Sequence, residues 1–202
     1  MNPLTTVRGA IIGAFVLAIV VSMLLTHFVV GAPIAFNAAF LGRWLHIVSG
    51  VMWVGLLYYF NVVQTPAMAV AGADKGGPGG AGINKYIAPR ALWWFRWAAL
   101  LTWLTGAYYL DAFYGHEAIL KAFTLQAPFA PIGVGAWLGT IMLFNVWALI
   151  WPNQKKILGI KSATDEEKAK ARKVALYASR INFMLSFPML VCMMAQMHGL
   201  PF

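Results

Sequence analysis

Acidic residues and cysteine are scarce in this chain, with six Asp and Glu and one Cys among 202 residues. A single cysteine, Cys192, excludes a disulfide within the chain. No CxxC or CxxCH is present, so a zinc ribbon and covalently attached c-type haem are excluded too. Charged residues make up only 10% of the chain, against about a quarter in average soluble domains. Together with 61% hydrophobic residues, that shortage excludes an ordinary soluble fold. The little charge present is mainly basic, net +9, but its placement argues against nucleic acid as a partner.

The apolar residues fall in blocks of about 20, long enough to cross a hydrocarbon core of about 30 Å. Inside lipid each block must be helical, because only a helix satisfies its own backbone donors and acceptors. The expected fold is therefore all-α, a polytopic transmembrane bundle forming a single integral membrane domain over 1–202. Five spans are expected, at about 9–30, 40–62, 91–110, 131–151 and 174–197. The first block is too long for the apolar core of a signal peptide, and no clear small-residue cleavage site follows, so it is read as a span. "GAIIG" at Gly9–Gly13 and "GAWLG" at Gly135–Gly139 are GxxxG patterns that let helices approach closely.

Lys and Arg set the orientation. The N-terminus, second loop and fourth loop carry Arg8, then Lys75, Lys85 and Arg90, then seven basic residues between Lys155 and Lys173. The opposite side has only Lys121 outside the helix ends. The N-terminus is expected inside and the C-terminus outside, in a bacterial inner membrane. The glycine-rich second loop lacks a GK[ST] and a preceding strand, so it reads as a linker rather than a phosphate loop. In the fourth loop Thr164 and Glu167 have capping-box spacing. A charged helical extension over about 165–173 is expected to run into the fifth span.

Ionisable groups inside a membrane are costly and mark function. Arg96 and Arg180 lie about one turn inside cytoplasmic helix ends and can snorkel to lipid phosphates. The histidines differ. His27, His46, His116 and His198 all fall toward the outer side, and His27, His46 and His198 are on separate spans. From Arg8 to His27 and from Arg180 to His198 the helical rise is about 27–29 Å, one membrane thickness. Facing imidazoles can hold a haem iron.

The surroundings of His46 favour haem over a bare metal ion. Gly50, one turn on, leaves room for a flat macrocycle, and Trp53 supplies an aromatic wall. An all-protein metal site needs carboxylates or thiolates, and the spans are almost empty of them. Arg43 needs an anion, which Asp111, a haem propionate or outer-leaflet head groups can supply. Haem b is thus the expected cofactor, with His46 and His198 as iron ligands and His27 in reserve. A non-haem metal and a cofactor-free protein are the alternatives on the residues alone. Met194, one turn before His198, fits packing better than ligation. Asn61, Asn145 and Asn182 read as too few and too peripheral for a transport path.

Three stretches resemble a known family. "RWLHIVSGVMWVGLLYYF" from Arg43 is similar to the second-span signature of the N-terminal membrane domain of bacterial membrane-bound urate oxidases, also described as urate hydroxylases. "WWFRWAALLTWLTG" from Trp93 resembles that domain's Trp-rich segment, and "SRINFMLSFPMLVCMMAQMHG" from Ser179 its closing helix. Full-length relatives carry a periplasmic cytochrome c domain. The lack of CxxCH makes this chain resemble a small stand-alone version without it. The family's acidic residue in the Trp-rich segment corresponds here to Ala98. The resemblance implies a redox-linked domain facing the outer side, with a periplasmic cytochrome c or a respiratory complex as partner. The expected function is electron transfer at that face. The alternative is a cofactor-free accessory or assembly subunit. Besides the lipid bilayer, a second copy of the chain is a further possible partner.

Overall fold

A computed structural model describes residues 3–200. It is all-helical, with no strand among the described residues. Among the described residues six α-helical elements make up the fold. They are α1 (Val7–Val30), α2 (Ala38–Ala73), α3 (Ala88–Tyr114), α4 (Glu117–Phe123), α5 (Ala130–Ile157) and α6 (Asp165–His198). Of these α1, α2, α5 and α6 are long and apolar enough to cross a membrane, which supports a membrane protein. The third expected span falls inside α3. At 27 residues α3 is long enough, but Arg90, Arg96 and Asp111 make it less apolar than those four.

The chain divides into two compact units, Met1–Asn37 and Ala38–Phe202. The first contains α1. Its start is capped by the Thr6 hydroxyl, which accepts from the Gly9 amide at 3.0 Å. It turns out at Gly31, whose φ of +70° needs glycine. None of its residues is buried within the unit. A helix apolar all round is suited to lipid.

The second unit packs α2, α3, α5 and α6 around one core. Trp53 and Leu57 of α2 meet Phe95 and Ala99 of α3, Met142 and Val146 of α5, and Ala178 and Met189 of α6. Lipid tails are as apolar as leucine, so close packing and hydrogen bonds must hold such helices together. Missing side chains permit the approach. A Cβ on Gly42 would meet the Tyr108 ring at 2.6 Å. One on Gly133 would run into the Ala122 carbonyl oxygen of α4. In the "GAWLG" pattern Gly135 faces Cys192 of α6, whereas nothing lies within 4 Å of a Cβ on Gly139.

A file of polar contacts ties α6 to its neighbours. Asn61 Nδ2 donates to Ser179 Oγ at 2.9 Å, Asn145 Nδ2 to Asn182 Oδ1 at 2.8 Å, and Asn182 Nδ2 to the Met142 carbonyl at 2.9 Å. Ser186 Oγ donates to the Tyr58 hydroxyl at 3.1 Å. The three asparagines, expected to be peripheral, are instead buried. Asn61 and Asn145 lie where α2 and α5 widen into π-helical turns, Tyr59–Gln64 and Asn145–Ile150. The polar residues are structural pins between helices.

α6 starts with both arms of the capping box. Thr164 Oγ1 accepts from the Glu167 amide at 3.2 Å, and Glu167 Oε2 accepts from the Thr164 amide at 2.9 Å. It continues through Pro188 to His198 as one helix.

Asn182→Ala should destabilise the unit by about 1 kcal/mol, the scale of hydrogen bonds between membrane helices. In the double variant with Asn145→Ala the losses should fall short of additive in detergent unfolding, because both remove the same bond. Thr164 and Lys156 hold the Glu167 carboxyl below its ordinary value, the backbone bond being the larger cause. Its contribution is therefore full above the ordinary glutamate range and lost as pH falls through and below it. Amide exchange in the first turn of α6 should accelerate on acidification beyond its intrinsic pH dependence, and Glu167→Gln should flatten that response.

Candidate functional site

At the α6 C-terminal end the second unit forms a partly open cavity of about 290 Å³, lined from α2, α3, α4, α5 and α6. Arg43, His46 and His198, singled out in the sequence, all line it. No carboxylate is among the lining residues. Four methionines of α6, at 189, 193, 194 and 197, supply a soft apolar wall.

His46 is the most defined element. Its Nδ1 lies 2.7 Å from the Thr102 carbonyl oxygen of α3. A carbonyl can only accept, so Nδ1 carries the proton and donates. The neutral ring's lone pair is then left on Nε2. A ligating histidine is commonly held in this way, its second nitrogen bonded to a backbone carbonyl that fixes tautomer and ring plane. Gly106, one turn on from Thr102 along α3, leaves room for the ring. A Cβ there would stand 2.8 Å from His46 Cε1 and 2.9 Å from Nδ1.

Arg43 is exposed one turn before His46. Among the described residues it makes no ion pair, and its guanidinium lies 5.9 Å from the centre of the Tyr109 ring. Asp111, one of its expected anions, is instead paired with His116 Nδ1. Gly115, with φ of +89°, turns the chain after α3, and the His116 ring comes back to Asp111. Two polar atoms in the lining residues lack partners among the described residues, Tyr109 Oη and Gln196 Oε1, and both are buried. An unsatisfied buried polar atom costs about 1–3 kcal/mol. Both atoms would be relieved by a ligand or water in the cavity.

The other expected site residues lie elsewhere. Gly50 turns toward Thr102, whose Cγ2 would stand 3.7 Å from a Cβ placed on the glycine, and it does not line the cavity. Trp53 is buried in the core, with its indole Nε1 unpartnered among the described residues. His27 belongs to the first unit, where its exposed ring meets Phe28 edge-on at 4.6 Å. Thr102, Gly106, Tyr109 and Gln196 are not singled out by sequence. The only signal available is the Gly106 that ends the Trp-rich segment.

Gly106→Ala should displace the His46 ring. Nitrogen-15 histidine NMR should then show His46 losing the single Nδ1–H tautomer expected of the parent. Gly55→Ala, which meets nothing within 4 Å, should leave it unchanged.

No curated protein and no solved structure matches the chain. The two resembling segments around Arg43–Phe60 and Trp93–Gly106 lie outside the stretch that a family model matches. That stretch contains α4, α5 and α6 with His198. Residues 118–202, fewer than half of the chain, match the family described as urate oxidase N-terminal.

Proposed function

We propose that this protein is a bacterial inner-membrane redox protein that binds haem b in the cavity beside His46 and passes electrons at the periplasmic face. The observation that carries the reading is the His46–Thr102 bond, which leaves an imidazole lone pair on a wall of the cavity. The orientation follows the basic loops, with five spans, the N-terminus inside and the cavity outside.

The residues present fit the group. Haem iron needs only one or two ligands from protein. Among the described residues no group of three His, Cys, Asp or Glu gathers to hold a bare metal ion. His46 and His198, which line the same cavity, would hold the iron. Arg43 would hold a propionate, a bidentate charge-assisted contact for a guanidinium that has no ion pair among the described residues. When bound, haem supplies one-electron chemistry. The chain's own part is to fix the imidazole plane through Thr102 and Gly106 and to wall the site with methionine. A periplasmic cytochrome c is the partner suited to this face. The relation to the urate oxidase domain supports a redox setting.

Protein expressed with haem supply should carry a Soret band that His46→Ala abolishes. Gly139→Leu should weaken haem binding by about tenfold or more, because it fills open cavity space rather than clashing with the backbone. Arg43→Gln should weaken it several-fold and leave the band position unchanged. Folded protein without a Soret band would sink the reading and favour a cofactor-free accessory subunit.

A further inference from the structure

The second unit has another cavity, of about 260 Å³, at the opposite end of the same helices. On α6 the two are separated by the stretch from Ser179 to Met189, a rise of about 15 Å. This cavity is more polar than the first. Arg172 and Ser179 of α6, Gln64 of α2, Asn84 ahead of α3 and Gln154 of α5 all line it. No acidic residue does.

Much of the hydrogen-bonding capacity here is unused. Gln64 Oε1 is buried with no donor among the described residues. Ser179 Oγ accepts from Asn61, which leaves its own proton to give away. Arg172 makes no ion pair among the described residues. Glu167 lies 3.9 Å from Lys156 and Asp165 lies 3.5 Å from Lys168, so both of these acids are paired with lysines. The Asn84 and Gln154 side chains make no hydrogen bond among the described residues. Several donors and one cation therefore meet one orphan acceptor.

We propose that this cavity binds a phosphodiester headgroup that also bears a hydrogen-bond donor, as in phosphatidylglycerol or phosphatidylethanolamine. Arg172, the Ser179 hydroxyl and the amide groups of Asn84 and Gln154 take the phosphate oxygens. Gln64 Oε1 accepts from the hydroxyl or ammonium of the headgroup. Leu92 and Phe95 form the apolar wall beneath. The cavity opens among helix ends flanked by Lys155, Lys156 and Lys168, where a basic surface concentrates anionic lipid. The assignment is independent of the haem reading, because no residue lines both cavities.

The test is native mass spectrometry of the full chain released from detergent containing phosphatidylglycerol or phosphatidylcholine, alongside thermal melting. Phosphatidylcholine carries the phosphate without the donor. The parent should retain phosphatidylglycerol several-fold better than phosphatidylcholine. Arg172→Gln should cut that retention about tenfold, the scale of one charge-assisted contact, and Arg172→Lys should restore part of it. Gln64→Leu should erase the preference between the two lipids. In a parallel arm, soluble glycerol phosphate raising the melting temperature of the parent but not of Arg172→Gln would identify a free phosphoester as the ligand. A shift with lipid alone would identify the membrane as the source. Equal retention of phosphatidylglycerol by the parent and a folded Arg172→Gln variant would overturn the proposal.

Discussion

The close approach of α2 and α3 is the constraint from which the site follows. Two glycines permit it. Gly42 gives way to the Tyr108 ring and Gly106 to the His46 ring. Once the helices are that near, the Thr102 carbonyl comes within 2.7 Å of His46 Nδ1. A backbone carbonyl inside a helix is already used once by the helix itself. Its second lone pair is the cheapest acceptor available in a lipid-embedded bundle. It fixes an imidazole tautomer without a buried carboxylate, which suits a chain that has so few.

The same economy runs through the rest of the second unit. Inside the bundle its helices are joined by amides and hydroxyls, and the ion pair between α5 and α6, Lys156–Glu167, sits at the loop end of the two helices. Asn182 both accepts from Asn145 and donates to a backbone carbonyl, and it is fully buried. Paired amides avoid the desolvation cost of burying charge. They also leave the two ends of the bundle free to differ. One end holds histidines, methionines and Arg43 around an apolar cavity. The other holds Arg172 and unpaired amides around a more polar one.

Much of this is legible in the sequence, for a physical reason. Ionisable residues inside apolar blocks are rare, so Arg43, His46 and His198 stand out one by one, and all three line one cavity. What cannot be read is facing. Gly50 sits one turn from His46 yet turns toward Thr102. The three asparagines look peripheral in the sequence, but two of them fall in π-helical turns and all three are buried. Thr102 contributes through its backbone, which carries no side-chain signature. Asp111 is one of the candidate partners for Arg43 by sequence. The turn at Gly115 gives it to His116 instead, a contact only five residues apart in the chain.

The central claim is that His46 is built to present Nε2 to an iron centre. Pulsed electron paramagnetic resonance on ferric protein labelled with nitrogen-15 histidine tests it most directly. A nitrogen-15 coupling of a directly bound imidazole, lost in His46→Ala and retained in His27→Ala, is the expected result. A ferric haem signal whose histidine coupling survives His46→Ala would contradict the account.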